Sequence, residues 1–256
     1  MNFVISACTD AGPVKPVNQD SYCVRTMGTP HGDMVFAAVC DGMGGLARGE
    51  VASATVIDVF RAWCDEQLPY LADGVITAAD IEGAWNSLVL DCARRIRDWG
   101  NERQITLGTT LAALLVTQQA RFLMHVGDTR AYCLTAAGVT QETLDHSLVQ
   151  REVDAGLLTA EAARTDSRRN VLLQCIGASE VVRPDFSAKA VSPGEVYLLC
   201  SDGFYHEVSE AELWQGLQPD RMLDEEGMRQ NLAALIGTDR QRGEKDNITA
   251  VAVRTW

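Results

Sequence analysis

Two apolar runs of the sequence each lead into an Asp-Gly pair. The run over 35–40 ends at Asp41, and the run over 196–200 reaches Asp202 after one serine. Short apolar runs bounded by turn residues are typical of buried strands, which places both aspartates at strand ends. A glycine after each aspartate lets the backbone turn tightly there. Carboxylate oxygens are the ligands that hard divalent cations prefer, so the pattern predicts a metal site.

Two further acidic motifs lie beside strand-like runs. Asp20 precedes the run over 21–26, and Asp246 precedes the alternating run over 248–253. Any one of these motifs is most simply explained as an ordinary turn at a strand end. Four of them, in a chain with only 4 histidines, favour an enzyme that uses Mg²⁺ or Mn²⁺, because zinc prefers nitrogen and sulfur ligands.

The length and composition are those of one large domain. The 256 residues are 46% hydrophobic, and no Pro-rich or Ser-rich linker divides them, so we expect a single domain over 1–256. The net charge of −13 disfavours nucleic acid and anionic membranes as partners. No stretch approaches the roughly 20 apolar residues of a membrane span, and the first residues do not resemble a signal peptide. We therefore expect a cytoplasmic protein.

Strand-like and helix-like patterns are segregated along the chain. Apolar residues recur at helical spacing over 50–68 and 78–99, and shorter helices are predicted over 148–156, 159–164, 209–217 and 228–236. Predicted strands cover 3–9, 21–26, 34–40, 110–117, 121–126, 130–134, 196–200 and 248–253. This grouping favours an α+β fold in which helices cover antiparallel sheets, over a doubly wound parallel sheet.

The acidic motifs belong to an ordered series that spans nearly the whole chain. The series consists of Thr9-Asp10-x-Gly12 with Lys15 to Asp20, then Asp41 to Gly45, Gly127 to Arg130, Ser201 to Gly203, and Asp246-Asn247. It resembles the motif series of the metal-dependent protein phosphatase family, the type 2C serine/threonine phosphatases. The Asp-Gly-Met-Gly-Gly form is similar to the bacterial branch.

The resemblance implies a fold and an activity. The fold would be a four-layer α-β-β-α sandwich, with two antiparallel β-sheets flanked by helices, in one catalytic domain. The activity would be hydrolysis of phosphoserine and phosphothreonine on proteins, by direct attack of a hydroxide that bridges two Mn²⁺ or Mg²⁺ ions. The implied partners are phosphorylated proteins, including a bacterial Ser/Thr kinase and its substrates.

The resemblance also implies a set of metal ligands. Asp41 would bridge both cations and position the hydroxide, and the backbone carbonyl of Gly42 would ligate the first cation. Asp202 and Asp246 would hold the second cation. Asp20 would act through a water molecule.

Four more residues are implied to lie around this centre. Asp128 resembles a residue that helps to hold a third, more loosely bound cation, although an ordinary turn aspartate is the alternative. Lys15 stands where the family usually has an arginine that grips the substrate phosphate; lysine lacks the planar fork of arginine, so we expect looser binding. Arg168 and Arg169 fall within 151–176, where the family carries a mobile flap, and are predicted to bind substrate. A solvated helix face explains these two arginines almost as well.

The chain departs from the family pattern at three positions. Met43 and Leu46 stand where relatives have histidines, so the motif offers no local acid for the leaving group. His206 stands where some relatives have a metal-binding aspartate. We interpret it as an ordinary surface or strand-end histidine.

Other functions are less consistent with the sequence. None of the cysteines begins a Cys-x₅-Arg sequence, the phosphate loop of tyrosine phosphatases, and the zinc hydrolase motif His-Glu-x-x-His is absent. The alternative from a different class is a non-catalytic phosphoprotein-binding regulatory module of the same fold. The presence of Asp41, Asp202 and Asp246 argues against it, because a buried acidic cluster is costly unless cations are retained.

Overall fold

Two five-stranded sheets form the centre of the protein. The computed structural model describes residues 1–43 and 48–256, so Gly44, Gly45, Leu46 and Ala47 lie outside the described residues. Within these ranges all strand pairs are antiparallel, with the strand orders β1-β10-β9-β6-β7 and β2-β3-β4-β5-β8. The strands are β1 (Phe3–Asp10), β2 (Ser21–Met27), β3 (Met34–Cys40), β4 (Leu111–Val116), β5 (Ala120–Val126), β6 (Arg130–Thr135), β7 (Gly138–Gln141), β8 (Asp185–Ala190), β9 (Val196–Cys200) and β10 (Ile248–Thr255).

Helices cover the outer faces of both sheets. They are α1 (Gly49–Glu66), α2 (Leu68–Ala72), α3 (Ala78–Arg103), α4 (Leu148–Asp154), α5 (Ala160–Thr165), α6 (Glu210–Leu217) and α7 (Glu225–Arg242). Helix α3 begins with a capping box, in which Thr77 accepts from the backbone of Asp80 while the Asp80 side chain accepts in return. Ser209 and Glu212 form the same arrangement at the start of α6.

The apolar core lies in three layers, which gives the predicted four-layer α-β-β-α sandwich. All seven residues of β3 are buried, because its alternate side chains enter two different layers. Phe36 packs with Phe60 of α1 and with Trp85 of α3 on the helix side. Val39 points between the two sheets. The third layer lies between the first sheet and helices α6 and α7, and it includes Leu232.

The sequence pattern missed the peripheral elements. Strand β8 lies at the edge of one sheet and is largely exposed, and strand β7 has only four residues at the edge of the other sheet. Neither strand therefore carries a clear apolar alternation. Helix α7 is longer than the predicted 228–236, because it begins after the Asp224 cap and ends at Gly243. The described helices include none with the length and apolar character needed to span a membrane.

Candidate metal centre

Strand pairing brings the acidic residues to one end of the sandwich. In the first sheet Ala250 of β10 pairs with Cys200 of β9. Because these strands are antiparallel, Asp202, which follows β9, and Asp246, which precedes β10, reach the same end of the sheet. The long apolar runs recognised in the sequence therefore position these two carboxylates through backbone register.

The second sheet contributes Asp20 and Asp41 in the same way. Ser21 of β2 pairs with Cys40 of β3, so the aspartates before β2 and after β3 are neighbours. The backbone N–H of Asp41 donates to Thr110 Oγ1 at 2.9 Å, and its carbonyl accepts from the Thr110 N–H at 2.9 Å. This double contact fixes the point at which the chain leaves β3.

Close backbone approaches explain why glycine follows each of these aspartates. A Cβ atom on Gly42 would lie 2.4 Å from the carbonyl oxygen of Gly49 and 2.5 Å from that of Gln19. A Cβ atom on Gly203 would lie 2.3 Å from the carbonyl oxygen of Asn247. Any larger residue at either position would collide with these backbone atoms.

Asp20 connects the two sheets. Its Oδ2 atom accepts a hydrogen bond from Ser201 Oγ at 2.8 Å, whereas its buried Oδ1 atom has no hydrogen-bond partner among the described residues. Burial raises the pKa of Asp20 to about 7. Hydroxyl groups of Ser201 and Thr249 oppose this rise, and the charges of Asp202 and Asp246 add to it.

The neighbouring carboxyl groups share this environment. Burial, reinforced by the charges of Asp20 and Asp202, raises the pKa of Asp41 well above its usual range. Burial and then the charges of Asp202 and Asp145 raise the pKa of Asp128 to about 8. The protein thus concentrates negative charge where little water can solvate it.

The residues fit a site for hard divalent cations. The buried Oδ1 atoms of Asp20 and Asp202 both lack a hydrogen-bond partner within 1–43 and 48–256. A buried carboxylate oxygen without a partner is costly, and a bound cation would compensate for it. The convergent side chains offer carboxylate oxygens, which suit Mg²⁺ or Mn²⁺ better than zinc.

Lys15 lies at the edge of this centre. Its Nζ atom lies 2.8 Å from Asp246 Oδ1, and its side chain is partly exposed. Burial alone lowers the pKa of Lys15, but the hydrogen bond to Asp246 and the charges of nearby aspartates raise it above its ordinary value overall. A positively charged ammonium group therefore stands at the edge of the acidic cluster.

Asn247 organises the loop that carries Lys15, a role that sequence reasoning did not give it. Its Oδ1 atom accepts from the Gln19 N–H at 2.9 Å, and its Nδ2 atom donates to the Ala11 carbonyl at 2.8 Å. Gln19 and Ala11, the residues that Asn247 contacts, both lie within ten residues of Lys15 in the sequence. The only sequence signal for this role was that Asn247 directly follows Asp246 in the last acidic motif.

The two flap arginines have different environments. Arg168 donates to both carboxylate oxygens of Glu152 at 2.9 and 2.8 Å and also pairs with Asp166 at 2.8 Å, so it joins parts of the flap to each other. Within the described ranges the Arg169 side chain makes one hydrogen bond, to the Arg164 carbonyl at 3.1 Å. Arg169 also lines a cavity of about 210 Å³ that reaches Asp128.

The interpretation of His206 as an ordinary surface histidine is wrong. Its side chain is only 10% exposed and lies between Asp202 and Glu244. Burial lowers the pKa of His206, but the charge of Asp202 and the hydrogen bond to Glu244 raise it overall. Burial raises the pKa of Glu244, yet its hydrogen bonds from His206 and from two backbone N–H groups lower it to about 2. Sequence reasoning did not single out Glu244.

A second group of metal-binding residue types, His125, His146 and Asp185, lies outside this centre. The hydrogen bonds that His146 makes do not suit metal binding through its ring. The Nδ1 atom of His146 accepts from the Gly127 N–H at 3.1 Å and from Gln174 at 2.8 Å, which leaves the ring proton on Nε2, facing Asp185 at 3.4 Å. The rings of His125 and His146 stack at 4.5 Å.

Comparisons with known proteins agree with this geometry. A family model described as "Protein phosphatase 2C" matches residues 14–237. A putative protein phosphatase 2C-type protein of Streptococcus pyogenes is 30% identical over 254 residues, which cover 97% of this chain and 96% of the relative. The serine/threonine protein phosphatase PstP of Mycobacterium tuberculosis is 32% identical over 253 residues, which cover 96% of this chain and 44% of that relative.

Solved structures extend the similarity to the whole fold. The serine/threonine phosphatase of S. agalactiae matches with a TM-score of 0.84 and 28% identity, and the match covers 100% of both chains. A catalytic domain of PstP in complex with 2 manganese ions matches with a TM-score of 0.78 and 29% identity, covering 99% of each chain. The similarity therefore includes the end of the sandwich where the aspartates meet.

We expect Asp20→Asn to stabilise the protein in the absence of metal at high pH. The pKa of Asp20 is about 7 in the folded state and about 4 in an unfolded chain. Folding therefore favours the protonated form, and the stability of the wild type should fall as pH rises from about 4 to about 7. The variant cannot ionise, so at pH 8 it should be more stable by up to about 4 kcal/mol.

Urea unfolding in EDTA at pH 4 and pH 8, followed by circular dichroism, measures this difference. Asp65→Asn is the control, because Asp65 is exposed and paired with Arg25 far from the acidic cluster. A variant at position 20 that loses stability with pH as steeply as the wild type would contradict the prediction.

Proposed function

Since this chain belongs to the protein phosphatase 2C family, we propose that it is a metal-dependent serine/threonine protein phosphatase that hydrolyses phosphoserine and phosphothreonine on proteins. One observation carries the proposal for this particular chain. Carboxylates from both sheets converge at one buried end of the sandwich, and two of their oxygens lack partners among the residues described. Such a cluster is what a pair of divalent cations requires.

Five residues form the proposed cation site. Asp41 would contact both cations, and the Gly42 carbonyl would contact the first. Asp202 and Asp246 would hold the second, and Asp20 would act through water. The hydrogen bond from Ser201 to Asp20 supports the last assignment, because it orients one carboxylate oxygen and leaves the other available.

Mn²⁺ or Mg²⁺ bound there would lower the pKa of the attacking water and offset charge on the phosphoryl oxygens. The chain itself supplies the orientation. Thr110 holds the backbone of Asp41 from two sides, and Asn247 holds the loop that precedes Asp20. Asp128, which borders the 210 Å³ cavity, is proposed as a ligand for a third and looser cation.

Lys15 and Arg169 are proposed to receive the substrate. Lys15 places a positive charge beside Asp246, at the partly exposed edge of the cluster, where a phosphate group can approach. Arg169 faces the cavity that Asp128 and His206 also line. Arg168 remains a predicted substrate residue, although its ion pairs with Glu152 and Asp166 favour a role within the flap.

The wider setting is also a proposal. We infer a cytoplasmic enzyme with a single catalytic domain over 1–256, acting on phosphoproteins that include a Ser/Thr kinase and its substrates. The net charge of −13 supports protein partners over nucleic acid or anionic membrane.

Hydrolysis of a phosphothreonine peptide tests the proposed function. Metal-stripped protein should release phosphate only after Mn²⁺ or Mg²⁺ is added. Asp202→Asn should lower kcat/KM by about 10²–10³-fold, because it removes a charge that stabilises the reacting centre. Asp65→Asn, a surface change of the same type, should leave the rate unchanged. Absence of cation-dependent release from folded wild-type protein would instead favour the non-catalytic binding module.

Replacing Lys15 by arginine should strengthen substrate binding. A guanidinium group can grip a phosphate with two parallel hydrogen bonds, whereas an ammonium group acts as a point charge. We expect Lys15→Arg to lower KM several-fold for a phosphopeptide, and Lys15→Ala to raise it. Steady-state kinetics with saturating Mn²⁺ measure both values. An unchanged or higher KM in Lys15→Arg would remove Lys15 from the phosphate site.

The neighbouring arginines provide a matched pair of variants. Arg169→Ala should raise KM for a phosphopeptide by about 5-fold to 10-fold, which corresponds to about 1–1.4 kcal/mol and lies within the range of a hydrogen bond. Arg168→Ala removes the same side chain one position earlier and should alter KM less, since Arg168 is occupied by Glu152 and Asp166. Equal increases in KM for the two variants would contradict the prediction that Arg169 binds substrate at the cavity and Arg168 does not.

A further inference from the structure

We propose that Glu244 and His206 are positioning residues that hold Asp202 and Asp246 in one rigid arrangement. The inference rests on the metal-dependent function proposed above, in which these two aspartates hold the second cation. Neither Glu244 nor His206 would touch that cation. They would act by fixing the side chains and the backbone turn that do.

One oxygen of Glu244 shapes the turn that presents Asp246. The Oε1 atom accepts from the backbone N–H of Lys245 at 2.6 Å and from that of Asp246 at 2.9 Å. The turn begins where α7 ends, at Gly243, whose φ of +101° reverses the chain direction. A buried side chain thus determines the backbone course between α7 and β10.

The other oxygen of Glu244 reaches Asp202 through His206. Glu244 Oε2 lies 3.1 Å from His206 Nδ1, and Nε2 on the opposite side of the ring lies 3.6 Å from Asp202 Oδ2. The three side chains are each no more than 10% exposed. The planar imidazole ring stands between the two carboxyl groups at ion-pair distance from Asp202, so we expect a displacement of Glu244 to move His206 against Asp202 as well as the turn that carries Asp246.

His206 is the only side chain in the described part of the chain that pairs with the Asp202 carboxylate. The second carboxylate oxygen, Oδ1, has no partner within the same residues. Without His206, Asp202 would be free to rotate away from the neighbouring negative charges, which repel it. Residues behind metal ligands commonly orient them in this way, and their loss weakens metal binding by about 10-fold to 100-fold.

A purely structural ion pair is the competing explanation, and the chain contains a matched example. Glu142 is equally buried, with its side chain 5% exposed, and it pairs with Arg121 and Lys189. Arg121 lies near the start of β5, whereas Asp128 follows the end of that strand, and the ion pairs of Glu142 among the described residues join it to Arg121 and Lys189 rather than to the acidic cluster. Loss of Glu142 should therefore lower stability without altering metal binding.

Isothermal titration of the metal-free protein with Mn²⁺ alone tests the proposal, with the melting temperature in EDTA recorded for each variant. Glu244→Ala should raise the Kd for Mn²⁺ by about 10-fold to 100-fold. Glu244→Gln should restore most of the affinity, because its amide oxygen can still accept from both backbone N–H groups. Glu142→Ala should lower the melting temperature and leave the Kd within twofold of the wild type.

His206→Ala should weaken Mn²⁺ binding as well, and the double variant with Glu244→Ala should lose little more than the weaker-binding single variant, since both changes break one connection. A Kd in Glu244→Ala within twofold of the wild type would overturn the proposal, as would an equal loss in Glu142→Ala. Failure of the wild type itself to bind Mn²⁺ would overturn the proposed function together with this inference.

Discussion

The burial of several carboxylates at one end of the sandwich is the constraint on which the rest of this structure depends. Like charges in a poorly solvated place repel each other and favour protonation, as the raised pKa values of Asp20, Asp41 and Asp128 indicate. A chain folds around such a cluster only if other interactions hold it together. Here the antiparallel ladders of both sheets hold the strand that adjoins each aspartate, and the three apolar layers hold the ladders.

Small residues and polar side chains adapt the strand ends to this purpose. The glycines after Asp41 and Asp202 allow backbones to approach where any Cβ atom would collide. Backbone and carboxylate groups that the ladders leave unpaired form hydrogen bonds with the side chains of Thr110, Ser201 and Asn247. The same arrangement that stabilises the strand ends therefore leaves carboxylate oxygens directed inward and available to cations.

Positive charge is placed around the cluster, in a chain that is acidic overall. Lys15 stands at its partly exposed edge, and Arg169 faces the neighbouring cavity. Arg168, although adjacent in sequence, is neutralised by acidic residues of the flap. In the proposed function these local positive charges receive the substrate, because the net charge of −13 would otherwise repel a phosphorylated protein.

The sequence by itself determined the layered α+β fold, the long elements and the position of the acidic motifs at strand ends, because continuous apolar runs in β3 and β9 specify buried strands and Asp41 and Asp202 follow within two residues. Exposed β8 carried no such signal. Only the tertiary structure decided that His206 is buried against Asp202 and that Glu244 supports it, since Glu244 lies 38 positions from His206 in the sequence and both contacts are made by side chains rather than by a periodic pattern. The tertiary structure also gave Arg168 and Arg169 different environments, because their partners are set by the folded flap.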